Sequence, residues 1–103
     1  MLRFARPALV TTLALAGLLA GCSTVEEDKT ANWTPERIYT EARDEAQSGG
    51  YEQAVPLFEK LEGRAAGTPL AQQAQLEKAY AQYKSGEKAQ AVATLDRFMK
   101  LHP

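Results

Sequence analysis

The chain has 103 residues, with 12 basic and 13 acidic side chains, one histidine and one cysteine. That balance gives no clustered Lys/Arg surface for nucleic acid, so no nucleic-acid partner is expected. One His and one Cys cannot build a usual metal site, no glycine-rich phosphate loop occurs, and no nucleophile stands beside a base, so neither a cofactor nor a catalysed reaction is expected.

At the N-terminus, Arg3 and Arg6 precede a run from Ala8 to Ala20 built only of Ala, Leu, Val, Thr and Gly. The run is shorter than the ~20 apolar residues a membrane-spanning helix needs. A positive start, a short apolar core and small residues at its end mark an export leader. The run closes on Leu19-Ala20-Gly21-Cys22, which resembles the lipobox of bacterial lipoproteins. That resemblance implies cleavage after Gly21, a signal peptide over 1–21, and an N-acyl, S-diacylglycerol cysteine at Cys22. Ser rather than Asp at position 23 favours the outer membrane, with the domain on its periplasmic face. A covalent lipid on Cys22 is then the only non-protein group expected. Residues 22–33 are polar and without apolar period, and are expected to form a flexible tether. Trp33 ends it, either packing on the first helix or anchoring among lipid headgroups.

Thr34-Pro35-Glu36 starts a helix: Thr caps free N–H groups, Pro suits the first helical position, and Glu suits the positive end of the dipole. Ile38, Ala42 and Ala46 recur every four residues on one face, and Ser48-Gly49-Gly50 stops the helix. A second helix is expected from Tyr51 to Glu62, with Ala54, Phe58 and Leu61 on one stripe and Pro56 loosening its early turns. Gly63 to Gly67 reads as a linker. Thr68-Pro69 opens a third helix, whose apolar face is expected to be Leu76, Ala79, Tyr80 and Tyr83, and Ser85-Gly86 stops it. A fourth runs from Lys88 to Leu101, carrying Ala91, Leu95 and Phe98. About 70 residues bury only a modest core.

The second half repeats the first at an offset of 37 residues. Ala42 matches Ala79, Ser48-Gly49 matches Ser85-Gly86, Ala54-Val55 matches Ala91-Val92, Phe58 matches Leu95, and Leu61 matches Phe98. A period near this length marks a helical solenoid. The expected fold is all-α: two helix-turn-helix units, residues 34–67 and 68–103. Gly49-Gly50-Tyr51-Glu52-Gln53-Ala54 resembles the turn of tetratricopeptide (TPR) repeats.

Further stretches narrow the likeness. They are Pro35-Glu36-Arg37-Ile38-Tyr39, Leu57-Phe58-Glu59-Lys60-Leu61, Ala71-Gln72-Gln73-Ala74-Gln75-Leu76, and the ending Leu95-Asp96-Arg97-Phe98-Met99-Lys100-Leu101-His102-Pro103. Following a lipobox in this order, they resemble the BamD family of ComL-type TPR lipoproteins. That resemblance implies a part in the machinery that delivers and inserts outer-membrane β-barrel proteins. Implied partners are the membrane through the lipid, other assembly subunits including the central barrel protein BamA, and unfolded outer-membrane protein substrates. The family continues through further repeats, so the chain is expected to be the first two repeats of a longer protein. The alternative is a pilotin-type TPR lipoprotein of pilus or secretin biogenesis, which shares anchor and repeats.

The first helix of each unit is expected to line a concave groove. Tyr39, Arg43, Tyr80, Tyr83 and Lys84 are the candidates to face it. Rings and cations suit an extended peptide with an aromatic end and a terminal carboxylate. The competing reading is that the tyrosines fill space between helices.

Overall fold

The computed structural model describes residues 27–103. The expected leader over 1–21, the acylated Cys22 and the first part of the tether lie outside them. Four helices follow one another: α1 (Pro35–Gln47), α2 (Tyr51–Arg64), α3 (Pro69–Lys84) and α4 (Lys88–Leu101). Each packs on the next, α1 on α2, α2 on α3 and α3 on α4, which is how stacked hairpins bury apolar faces that no single hairpin can cover. No strand occurs among the described residues.

The helix starts follow from their caps. Thr34 Oγ1 accepts from the Arg37 amide at 3.1 Å and Thr68 Oγ1 from the Ala71 amide at 3.3 Å, each ahead of a proline at the first helical position. The stops are equally alike. Gly49 and Gly86 both sit at φ +91°, a conformation that side chains with a Cβ disfavour. The Gly49 amide donates to Ala46 O and the Gly50 amide to Glu45 O. The Gly86 amide donates to Tyr83 O and the Glu87 amide to Gln82 O, the same pair of bonds one repeat later. The internal repeat therefore extends from residue types to individual hydrogen bonds.

The core consists of Ile38, Ala42, Ala54, Phe58, Leu61, Ala65, Ala74 and Ala81, with Trp33, Tyr39, Val55 and Leu70 among the residues packed against it. Small residues at 42, 54, 74 and 81 let the helix backbones approach, and Phe58 fills the gap between them.

Three features differ from the expectations. First, α2 continues to Arg64, so Gly63 and Arg64, expected in a linker, are helical. Open space around Gly63 and the tertiary bonds of Arg64 favour the extra half-turn.

Second, the last six residues of the expected tether are folded onto α2. Asp28 accepts from the Thr30 amide at 2.9 Å and from Lys60 Nζ at 2.7 Å. Arg64 donates to Thr30 O at 2.9 Å and to Trp33 O at 3.2 Å. Thr30 is buried, and the Arg37 guanidinium lies 4.1 Å from the centre of the Trp33 ring. Here Trp33 packs on the domain.

Third, α3 buries a different face from the one expected. Of Leu76, Ala79, Tyr80 and Tyr83, only Ala79 is buried, and Tyr80 and Tyr83 are each 56% exposed. The buried face is Ala74, Gln75, Lys78, Ala79, Ala81 and Gln82. Sandwiched between α2 and α4, α3 needs small residues for close approach and long stems whose polar ends find partners. Lys78 Nζ reaches Glu62 Oε2 at 2.7 Å, and the Thr94 hydroxyl donates to Gln82 Oε1 at 2.7 Å.

Candidate peptide-binding surface

The rotation of α3 leaves its aromatic side chains available. Tyr80 meets Tyr51 edge-to-face, with ring centres 6.2 Å apart and planes at 81°. Lys84 Nζ lies 5.9 Å from the centre of the Tyr51 ring. Immediately before Lys84 in α3 and on the side of α4, Tyr83 has Lys88 Nζ 5.9 Å from its ring centre. Neither Lys84 nor Lys88 forms an ion pair among the described residues. Free ammonium groups over ring faces can still turn toward an anion.

Tyr39 and Arg43 form the second part of the surface. One turn apart on α1, they meet through a hydrogen bond donated by Arg43 Nη1 to Tyr39 Oη at 2.9 Å. Arg43 also pairs with Glu77 of α3 at 3.0 Å. The Tyr39 bond, then the Glu77 charge, hold the Arg43 guanidinium above its ordinary pKa. Glu77 Oε1 is thus engaged, whereas Oε2 is buried with no partner. Arg43, Ala46, Gln47, Tyr51, Phe58, Glu77 and Tyr80 line one shared depression of about 260 Å³.

Of the five residues singled out in the sequence, Arg43 and Tyr80 therefore line a single depression, with Tyr39 bonded to Arg43 and Lys84 beside Tyr51. Tyr83 belongs with Tyr80 to an adjoining depression of about 410 Å³, completed by Ala79, Lys88, Ala91, Val92 and Leu95. Cys22 lies outside the described residues. Sequence reading missed Tyr51, Glu77 and Lys88. Tyr51 was visible only as a turn residue. Nothing in the local spacing of Glu77 or Lys88 announces a neighbour on another helix.

Four helices stacked as consecutive hairpins define the class of the fold, a helical-repeat scaffold. Residues 31–103 match the family model YfiO, outer membrane lipoprotein, and the chain belongs to that family. It is 44% identical over 100 residues to the outer membrane protein assembly factor BamD of Neisseria meningitidis serogroup B, a match covering 92% of this chain and 38% of the relative. It is 36% identical over 94 residues to the Vibrio cholerae protein of the same name, covering 86% and 39%. For the Xylella fastidiosa protein of that name the figures are 33% over 96 residues, 92% and 33%. The chain thus spans little more than a third of the length of the curated relatives it matches.

Proposed function

We propose that this chain is a non-catalytic, lipid-anchored adaptor that helps deliver precursors for β-barrel insertion into the outer membrane. The observation that carries the reading is the match of its whole helical region to the YfiO family, whose relatives bear the name outer membrane protein assembly factor. The lipid on Cys22 holds the chain at the membrane. Other assembly subunits, the central barrel protein among them, are its partners, and unfolded barrel precursors are its cargo.

The surface around Tyr39, Tyr51, Tyr80, Tyr83 and Lys84 receives an extended peptide with an aromatic end. Arg43 is engaged by Glu77, so the terminal carboxylate turns to the unpaired ammonium groups of Lys84 and Lys88. The test is photocrosslinking from probes at Tyr39, Tyr80 and Tyr83 to a precursor's C-terminal peptide. Crosslinks above those of a scrambled peptide are expected, and their absence counts against the surface. Lys84→Gln together with Lys88→Gln should weaken binding by a few-fold, since an exposed ion pair contributes about 0–1 kcal/mol. A C-terminally amidated peptide should lose affinity to the same extent and be indifferent to the two substitutions.

A further inference from the structure

Residues 28–33, just ahead of the Thr34 cap of α1, form a small buckle. The Ala31 amide donates to Asp28 O and the Trp33 amide to Thr30 O, each at 3.0 Å, closing two successive turns. Lys60 and Arg64, one turn apart on α2, grip this segment. Lys60 Nζ holds the Asp28 carboxylate at 2.7 Å, with Arg64 Nη2 3.7 Å from the same oxygen. Arg64 also takes the carbonyls of Thr30 and Trp33. Asp28 and Glu27 lie in a depression bordered by Gln53, Leu57 and Lys60, so the chain enters the folded domain along the flank of α2 and not at the tip of α1.

Only six peptide units separate Cys22 from Asp28. Fully extended they reach about 21 Å, against about 42 Å if the chain were free as far as Thr34. We infer that the buckle fixes where the membrane tether meets the domain, so that the α2 flank bearing Gln53, Leu57 and Lys60 faces the lipid surface. The inference rests on the reading of Cys22 as the lipid anchor. The buckle halves the radius the domain can explore and makes the attachment point lateral. Helix α4 packs on α3, and α3 on α2, which holds α4 on the side away from the bilayer.

The test uses the full chain, acylated in cells and reconstituted in phosphatidylethanolamine–phosphatidylglycerol vesicles carrying a headgroup energy-transfer acceptor. Single donors are placed through Gln53→Cys on α2 or Gln90→Cys on α4. Transfer from position 53 should exceed that from position 90 by about twofold, because helix layers are stacked about 10 Å apart. Asp28→Ala with Arg64→Ala should bring the two efficiencies together, as should Lys60→Ala with Arg64→Ala, with helicity retained by circular dichroism. Equal transfer in the parent, or a difference that survives both double substitutions, would overturn the inference while leaving the anchor intact. A parent whose Cys22 carries no acyl group by mass spectrometry would overturn the anchor reading and this inference with it.

Discussion

The Asp28 carboxyl is held well below the usual carboxylate range by hydrogen bonds from Lys60, then from the Thr30 hydroxyl and amide. A carboxylate whose folded pKa is depressed stabilises the fold above its unfolded pKa, about 3.9, and that contribution fades as pH falls from there toward the folded value. Lys60, Arg64, Glu27, Lys29 and Glu45 are the charged groups around it. Asp28→Asn should therefore lower stability by a constant amount from pH 5 to 8. The gap from the parent should close only in strong acid, as read by urea unfolding at each pH. Lys78 presents the opposite situation, an ammonium on a nearly buried stem with its partner Glu62 partly exposed. Lys78→Ala leaves Glu62 without its donor and opens space beside α2, a loss of about 3 kcal/mol for breaking a buried pair. Urea midpoints of the two proteins measure it. Neither pairing is legible in the sequence, because a side chain's partner on another helix leaves no mark on local spacing.

Local chemistry governs the helix ends. The Thr-Pro starts and Ser-Gly stops were legible because a cap is satisfied by residues within five positions of it. Thr68→Ala should cost about 1 kcal/mol through the lost bond to the Ala71 amide. Gly86→Ala should cost about 1 kcal/mol or slightly more. A Cβ there meets no atom within 4 Å, so the loss comes only from the left-handed backbone. Both are checked by thermal melts of the single variants. The buried face of α3 was not legible. Its apolar residues lie around the whole circumference, and two neighbours compete for them. The choice went to the alanines and the long polar stems, leaving Leu76, Tyr80 and Tyr83 at the surface.

Across the molecule, the two units share a pattern but not an environment. Phe58 is 1% exposed beneath α3, whereas its counterpart Leu95 is 41% exposed. The face of α1 and α2 that seats α3 recurs on α3 and α4 as Tyr80, Tyr83, Val92 and Leu95, with Met99 also exposed nearby. Phe58→Ala should cost about 3–5 kcal/mol, and Leu95→Ser should stay within about 0.5 kcal/mol. The same exposed patch should drive concentration-dependent association of the 103-residue chain, which Leu95→Ser should reduce. Sedimentation over a concentration series reads this, and a monomer whose melt is sharp at every concentration would contradict it.

The repeat, the four helices, their caps and the family were determined by the sequence alone, since each depends on residues close along the chain or on a pattern that recurs. Tertiary structure decided the rest: which face α3 buries, the pairing of Arg43 with Glu77, and the folding of residues 28–33 onto Lys60 and Arg64. These depend on groups 12 to 36 positions apart in the chain. Such groups become neighbours only after the helices stack, and burial then rewards whichever partners the stacking has brought together.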